Sequence, residues 1–517
     1  MEAKNKIDQT FEKLYRISHQ FKPKITINEE GHISSISDGI IEVKDLSRVA
    51  YFELLKLPHN LFALALNITK YSVQAVVLGD YTSLNVKDVV TCTDQSISIP
   101  VGYELLGKVI DPLSKLIDDK KEIKTKEHYP IEREAVKLME RDFVKEPLYT
   151  GIKIIDAMIP IGKGQRELII SDASLGKTSI AVNTIINQKD KNVYCIYVAI
   201  GQKKAQIARV INDLKKSDAL SYTIIVAAPA DAAPGMKFIA PYSGSAIAEF
   251  FADQGKDVLI VYDDLTKHAD AYRSISLLLE IPPGREAYPG DIFFIHAKLL
   301  ERAGKRADQY KGGSITALPI IETKAGRISD YIPTNLISIT DGQIYLDREL
   351  FNKGFLPAID IGRSVSRIGA KAQVLALKKM AVKLKLDYSQ FLEVEIFTKF
   401  GAKVEKETQK LIDKGKALRV ALKQDRLEHI SMPMQVAIFF LHNEGYLEKL
   451  PLEQIELFID KFSIFLQTQH QDILQAIKTA NDIDSYLMSR LKTAADAFIL
   501  PHQVDTQTFK RMKGGKM

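Results

Sequence analysis

The feature that most constrains the fold is a series of short, nearly continuous apolar runs between residues 168 and 339, with helical stretches between several of them. A strand that alternates apolar and polar residues has one solvent face, whereas a continuous apolar strand is buried on both faces. Buried strands that alternate with helices indicate a parallel sheet in an α/β domain. The runs are Leu168–Ile170, Val193–Ala199, Tyr222–Ala227, Val258–Tyr262, Ile292–Ile295, Ile315–Ile321 and Leu336–Ile339.

The chain on either side of these runs has a different pattern. From Ile36 to about Pro100, short apolar stretches are broken by turns, which is typical of a small antiparallel barrel or sandwich. From about residue 379, apolar residues recur every three or four positions, which indicates helices. We therefore predict an α/β multidomain chain: a polar N-terminal extension at 1–34, a β-barrel at 35–100, the parallel α/β domain at 101–378, and a helical domain with a basic tail at 379–517.

Composition excludes several classes of protein. The net charge is +6, from 71 basic and 65 acidic residues, and most of the basic residues are lysines, which lack the planar fork of arginine. We therefore expect a solvated surface and no nucleic-acid partner. Two cysteines exclude a disulfide scaffold and a cysteine-based zinc cluster. Neither a signal region nor a run of about 18 apolar residues is present, so we expect a cytoplasmic protein that meets a membrane only through partners.

One segment between an apolar run and a helical stretch has the form of a P-loop. It consists of Ser171, Asp172, Ala173, Ser174, Leu175, Gly176, Lys177 and Thr178. In such a loop, backbone amides and the helix N-terminus face the phosphates, and the lysine neutralises the β and γ oxygens. The hydroxyl of Thr178 would ligate Mg²⁺. These eight residues are therefore candidate nucleotide-binding residues, with ATP or ADP and Mg²⁺ as cofactors.

A second segment supports the nucleotide site, and one residue departs from the motif. The run Val258–Tyr262 is followed by two acids, of which Asp263 suits a carboxylate oriented toward the metal. The alternative is that these acids cap a helix after the strand. Ser171 stands where the P-loop motif has its first glycine, so a positive φ at this position would cost about 1 kcal/mol.

Longer matches identify a family. Pro282–Asp291, Gly312–Thr323, Tyr331–Asn335 and Asp341–Gln343 closely resemble the signatures of the α and β subunits of rotary F-type ATP synthases. The resemblance runs from about Ser37 to Leu491. It implies a β-barrel crown, a RecA-like P-loop nucleotide-binding domain and a C-terminal helical domain. It also implies β-type catalytic subunits and a γ-type central-stalk subunit as partners, stalk or accessory proteins at the termini, and a place at the cytoplasmic face of the cell membrane.

Two positions resemble the α subunit of this family. Gln202 stands where catalytic subunits carry a glutamate that polarises the attacking water, and an amide cannot accept a proton as a carboxylate does. The resemblance implies that Arg367 is an arginine finger that acts on the neighbouring β-type site, with Ser364 at the same interface. A surface arginine that caps a helix is the alternative. We therefore expect a non-catalytic subunit in an alternating hexamer.

The remaining departures surround the subunit's own nucleotide. Ala173 and Ser174 replace an Arg and a Gln that are usual in α subunits, and Leu356, before the candidate base-contacting Pro357, replaces an Arg. Gln424 matches one of two glutamines that are usual in α subunits, and Arg426 replaces the other. We hypothesise that this site binds Mg-ATP weakly or slowly.

The divergent ends, the lysine excess and the absence of Trp also resemble the specialised synthase-like ATPases of mollicutes. Two alternatives therefore remain: an α-like subunit of a rotary ATPase that powers motility or a surface process, and a homohexameric RecA-type translocase or export ATPase. Gln202 argues against the second, because a homohexamer needs its own catalytic carboxylate.

Overall fold

The structure is a computed structural model that describes residues 29–118, 122–398 and 405–513, without the side chains of 396–398 and 500–513. The chain divides into two compact units, residues 1–96 and 97–517. The predicted N-terminal extension as far as residue 28, and the end of the basic tail at 514–517, lie outside the described residues.

The first unit is a closed antiparallel barrel, as the sequence predicts. Its strands are β1 (Glu30–Ser37), β2 (Ile40–Lys44), β3 (Glu53–Lys56), β4 (Phe62–Ile68), β5 (Val73–Val77) and β6 (Val89–Ser96). They pair in the order β1-β2-β5-β4-β3-β6, and the pairing of β1 with β6 closes the barrel. Alternating side chains such as Ile41 and Val43 fill the interior. Because β1 begins at Glu30, residues 30–34 form part of the barrel and not of the polar extension; the predicted domain limits otherwise stay predictions.

The second unit contains a long sheet that is mostly parallel. The strands of this unit are β7 (Ser98–Val101), β8 (Val109–Ile110), β9 (Glu127–Pro130), β10 (Arg141–Asp142), β11 (Leu168–Asp172), β12 (Val193–Ile200), β13 (Thr223–Ala228), β14 (Asp257–Asp263), β15 (Gly304–Arg306), β16 (Ser314–Thr323), β17 (Gly342–Tyr345) and β18 (Val365–Ser366). Strands β7 and β9 pair with each other in a separate two-stranded sheet, and the others form the long sheet. The main path is β18-β17-β11-β16-β14-β12-β13-β8. Strands β11 to β14 and β16 confirm five of the predicted buried runs, because their side chains are almost entirely buried.

Helices flank this sheet. They are α1 (Lys153–Met158), α2 (Lys177–Ile186), α3 (Lys204–Lys216), α4 (Pro234–Asp253), α5 (Leu265–Leu278), α6 (Ile292–Leu300), α7 (Tyr331–Ile339) and α8 (Arg348–Asn352). The strands predicted at Ile292–Ile295 and Leu336–Ile339 are wrong, since these runs lie in α6 and α7. In α6, Ile292 and Ile295 are buried whereas Phe293 and Phe294 are exposed, which is the helical period. A run of four apolar residues is too short to reveal that period in the sequence.

The chain ends in a layer of helices, which confirms the predicted helical domain. They are α9 (Leu375–Thr398), α10 (Lys406–Ala421), α11 (Met432–Asn443), α12 (Leu452–Gln469), α13 (Gln471–Ala480) and α14 (Ser485–Lys513). Helices α9 and α10 approach so closely that a Cβ at Gly415 would lie 2.0 Å from Cγ of Phe391. Within the described residues, the helices are too short or too polar to cross a membrane.

Two histidines form a buried pair between α5 and α6. Nδ1 of His268 lies 3.3 Å from Nε2 of His296, and Nε2 of His268 lies 3.1 Å from the carbonyl oxygen of Phe238. Both side chains are fully buried. Burial lowers the pKa of His268 to about 4 and lowers the pKa of His296 well below its usual value. Both imidazoles are therefore neutral in the folded chain at neutral pH.

This pair predicts a loss of stability in mild acid. Below pH 6.5 the unfolded chain binds protons that the folded chain excludes down to about pH 4, so stability falls as the pH falls through this window. Each histidine contributes a slope of up to about 1.4 kcal/mol per pH unit. Replacing His268 with Phe and His296 with Leu should flatten the decline of the urea midpoint between pH 7 and pH 5. The exposed-site control His59→Asn should leave the decline unchanged; an unchanged decline in the double variant would contradict the assignment.

Candidate nucleotide site and interface arginine

The loop between β11 and α2 has the backbone expected of a phosphate-binding loop, but its strain lies at a different residue from the one predicted. Ser171 lies inside β11, paired with Glu322 of β16, and its hydroxyl donates to the carbonyl oxygen of Asp172 over 2.7 Å. The strain expected at Ser171 is therefore absent. Instead, Ser174 has φ +66° and Gly176 has φ +105°, so a non-glycine residue takes the costly conformation three positions before the helix begins at Lys177.

Lys177 begins α2 and is surrounded by acids. Its ammonium nitrogen lies 2.6 Å from Oε2 of Glu322 and 3.3 Å from Oδ2 of Asp264, and its side chain is 9% exposed. Burial lowers the pKa of Lys177, but the acids outweigh that effect and hold the pKa above its usual value. Burial also raises the pKa of Asp264 to about 6. Glu322 was not among the predicted site residues, although it follows the apolar run Ile315–Ile321 as Asp263 follows its own run.

The carboxylate of Asp263, at the carboxyl end of β14, accepts hydrogen bonds from three side chains. The hydroxyl of Thr178 donates to Oδ2 of Asp263 over 2.6 Å, and the Tyr197 hydroxyl donates to the same oxygen over 2.7 Å. The Gln202 side-chain amide donates to Oδ1 over 2.9 Å. The structure thus brings together Thr178, Gln202 and Asp263, as predicted; Tyr197, inside a buried run, was missed. A threonine hydroxyl beside a carboxylate is an oxygen donor set that fits Mg²⁺.

Asp172 is occupied by bonds within the chain. Its carboxylate accepts hydrogen bonds from the Thr323 hydroxyl (2.7 Å) and the Gly326 amide (2.8 Å), and it pairs with the guanidinium of Arg348 at 3.2 Å. Burial raises the pKa of Asp172, but these partners outweigh it and hold the pKa below its usual value. The carboxylate therefore ties the loop to the strand and helix beside it, and only the backbone of Asp172 remains available for a phosphate.

The two residues predicted near the base are placed differently. Pro357 lines a small surface cavity together with Phe355, Tyr388 and Arg419, none of which the sequence predicted. Gln424 is buried, and its amide nitrogen donates to the carbonyl oxygens of Gly151 and Glu428 at 2.7 and 2.8 Å. Its oxygen accepts from the Lys153 amide. The side chain of Gln424 therefore joins backbone segments and does not line the cavity.

Arg367 and the P-loop lie at opposite ends of the sheet. Strand β17 runs parallel to β11, with Leu168 opposite Gln343 and Ile170 opposite Tyr345. The P-loop follows the carboxyl end of β11, whereas the Arg367 amide donates to the carbonyl oxygen of Asp341, just before β17 begins. The two ends are about six residues of strand apart, or roughly 20 Å. The exposed side chain of Arg367 is therefore far from the P-loop of its own chain.

Ser364, the second predicted interface residue, is 9% exposed. Its hydroxyl accepts a hydrogen bond from the Tyr345 amide and donates to the carbonyl oxygen of Asp360. These bonds hold β18 against β17 near the carboxyl end of β17. The structure therefore places Ser364 near the carboxyl end of β17 and Arg367 near its amino end, and the role of Ser364 at an interface stays a prediction.

Together, the barrel, the parallel sheet with its P-loop and the helical layer define a multidomain P-loop nucleotide-binding protein. Residues 151–366 match the ATP synthase alpha/beta family, nucleotide-binding domain, and residues 373–498 match the ATP synthase alpha/beta chain, C terminal domain. The ATP synthase subunit alpha of Petrotoga mobilis is 48% identical and covers 92% of this chain and 95% of its own length. The ATP synthase subunit alpha of Acholeplasma laidlawii is 49% identical, and the match covers 88% of this chain and 90% of that protein. The subunit alpha of Clostridium kluyveri is 47% identical, and the match covers 93% of this chain and 95% of that protein.

The chain therefore belongs to the ATP synthase alpha/beta family, as an alpha-type subunit of a rotary ATPase head. This confirms the resemblance identified from the sequence. The predicted cofactors, ATP or ADP with Mg²⁺, are those of this family. The named relatives do not favour the two alternatives, a specialised rotary ATPase and a homohexameric translocase.

The contact between Thr178 and Asp263 predicts a metal-dependent effect on nucleotide binding. Thr178→Val keeps the shape of the side chain but removes the hydroxyl, so the affinity for ADP with Mg²⁺ should fall by about 2 kcal/mol, or roughly 30-fold. Titration with a fluorescent ADP analogue, with Mg²⁺ and then with EDTA, measures both states. The affinity in EDTA should change little.

The matched control is Thr178→Ser, which keeps the hydroxyl and should bind like the unaltered chain. An equal loss of affinity in Mg²⁺ and in EDTA for Thr178→Val would show that the hydroxyl does not serve the metal.

Proposed function

We propose that this chain is a non-catalytic subunit that alternates with β-type catalytic subunits around a γ-type central stalk, and that it supplies Arg367 to the neighbouring nucleotide site. The observation that carries this proposal is the position of Arg367, roughly 20 Å along the sheet from its own P-loop. An exposed arginine at that place cannot serve its own nucleotide. A guanidinium that reaches a neighbouring γ-phosphoryl group stabilises the charge that develops during transfer.

The chemistry around Asp263 supports the non-catalytic part of the proposal. Hydrolysis needs a group that orients and deprotonates water. Gln202, two residues after the end of β12, carries an amide that donates to Asp263 and cannot accept a proton as a carboxylate does. The nearby carboxylate of Glu322 is paired with Lys177. Nucleotide bound at this site would therefore be held without rapid turnover.

The same acids support weak nucleotide binding. Lys177 is the cation of the loop, and a phosphate must compete for it with Glu322 and Asp264. In this proposal the backbone of residues 171–176 and Lys177 hold the phosphates, and Thr178 and Asp263 hold Mg²⁺. The base lies against the surface cavity beside Pro357, which Phe355 and Tyr388 also line.

The remaining parts of the proposal concern location. The assembly lies at the cytoplasmic face of the cell membrane, and the chain meets the membrane only through its partner subunits. Stalk or accessory proteins bind the terminal segments. Isolation of the complex from membranes, before and after a low-salt wash, tests this location: the chain should leave the membrane together with its β-type partner.

Removing the guanidinium of Arg367 should abolish rapid turnover without disassembling the complex. In the complex of this chain with its β-type and γ-type partners, Arg367→Ala should lower kcat by about 10³-fold or more, because the finger acts on the transition state. Size-exclusion chromatography should show an intact hexamer. The matched control is Arg363→Ala, since Arg363 is also exposed; its guanidinium pairs with Asp360 and lies over the Tyr345 ring of its own chain. The kcat of this variant should stay within about twofold.

Two results would contradict the proposal. The first is normal turnover in the Arg367→Ala complex. The second is rapid ATP hydrolysis by this chain purified without its partners, since a site with Gln202 in place of a carboxylate should not support it.

A further inference from the structure

A buried polar network lies beneath the strand that leads to Arg367. The amide nitrogen of Gln165 donates to Oε2 of Glu167 over 2.6 Å and to the hydroxyl of Ser366 over 3.2 Å. The Ser366 hydroxyl in turn donates to the carbonyl oxygen of Pro160 and accepts a hydrogen bond from the Gly369 amide. Ser366, the residue immediately before Arg367, is therefore fixed in part by its hydrogen bond with Gln165.

Glu167 is an unusual member of this network. Its side chain is fully buried, and within the described residues its Oε1 atom has no hydrogen-bond partner. Burial raises the pKa of Glu167 well above its usual value and the charge of Asp341 adds to this, whereas the charge of Arg367 opposes it. A buried carboxyl that is only partly hydrogen-bonded is costly to keep, and nothing in the nucleotide site uses it.

The carboxyl group fills the space that a glycine leaves at the start of β17. A Cβ built on Gly342 would lie 2.4 Å from Oε2 of Glu167 and 2.3 Å from the carbonyl oxygen of Val365. Gly342 is also the residue paired with Ser366 in the β17–β18 ladder. The carboxyl group of Glu167 therefore packs against the short β17–β18 ladder, whose two residue pairs set the position of β18.

A second set of hydrogen bonds, through Arg166 and Asp341, fixes the backbone of Arg367. Arg166 binds the carboxylate of Asp341 through its backbone amide and through both ends of its guanidinium, at 2.8 to 3.0 Å. The carbonyl oxygen of Asp341 accepts the Arg367 amide at 2.9 Å. Residues 165 to 167 thus fix the backbone on both sides of Arg367.

We propose that Glu167 is a positioning residue for the arginine supplied to the neighbouring site: its carboxyl group, packed against Gly342 and bound to Gln165, fixes the β18 backbone from which Arg367 extends. The proposal rests on the function proposed above for Arg367. Glu167 does not contact the nucleotide, so its effect passes through the position of the guanidinium. A displacement of about 1 Å at a catalytic group can cost about 100-fold in rate.

The test uses the assembled complex and four variants: Glu167→Ala, Glu167→Gln, Arg367→Ala, and the double variant Glu167→Ala with Arg367→Ala. Glu167→Ala should lower kcat by about 10- to 100-fold, with KM for Mg-ATP within about twofold. Glu167→Gln keeps the volume and an acceptor for Gln165, and should restore most of the kcat. In the Arg367→Ala background, Glu167→Ala should cause no further loss, because the group it positions is gone.

The control is Glu53→Ala, which removes another buried glutamate, one that accepts the amides of Ala50 and Asp94 in the barrel. Its kcat should stay within about twofold, even where the melting temperature falls. If Glu167→Ala does not assemble, Gln165→Met, which cuts the bond to Ser366, takes its place with the same expected loss of kcat and the same lack of additivity.

The outcomes separate this inference from the proposed function. Normal kcat in Glu167→Ala, or an equal further loss in the Arg367→Ala background, would overturn the positioning role and leave the arginine assignment untouched. Normal kcat in Arg367→Ala would overturn the proposed function itself. A loss of kcat that glutamine restores and that vanishes without Arg367 supports the inference.

Discussion

The parallel pairing of β11 with its neighbours β16 and β17 is the constraint on which the rest of the site depends. Parallel strands bring all their carboxyl ends to one edge of the sheet, so the P-loop, Asp263 and Glu322 meet there although they are distant in sequence. Strand β18 runs antiparallel to β17 and therefore returns to the opposite edge. One change of strand direction separates the predicted nucleotide-binding residues of this chain from the arginine that we propose acts on a neighbouring subunit.

The charges at the carboxyl edge favour a metal-nucleotide complex over a bare phosphate. Lys177 faces Asp264 and Glu322, and Asp263 lies beside them, so the carboxylates outnumber the ammonium group. A divalent cation adds the positive charge that such a site needs and relieves the repulsion between the acids and the phosphate. The three donors on Asp263 have a related role, because a buried carboxylate is stable only when its oxygens are hydrogen-bonded.

The sequence predicted the layers of the fold well because each layer has its own hydrophobic period. The buried strand β12 is apolar at every position, β14 is apolar between its two terminal aspartates, and the P-loop is a local motif, so all three could be located by inspection. Ile292–Ile295 failed because four apolar residues suit either a strand or a helix, and only the exposure of Phe293 and Phe294 distinguishes the two. The hydrogen bonds of Gln424 to the backbone could not be predicted, because a polar side chain can bind a ligand or the backbone with equal ease and only the tertiary structure shows which groups it meets.

Glu167 was not predicted because its importance depends on the length of β18, which no sequence pattern reveals. The pairing of β17 with β18 consists of Gly342 with Ser366 and Gln343 with Val365, and two pairs are too few to hold a strand in place. An edge strand must nevertheless stay open on one side if a neighbouring chain is to approach it. Side chains from below must then supply the rigidity that a longer ladder would otherwise provide. Gln165 and Glu167 lie on that side of the strand, and Gln165 binds Ser366 of the strand itself. If Arg367 acts on another subunit as we propose, the exposure that this requires also explains why buried polar groups are retained beneath β18.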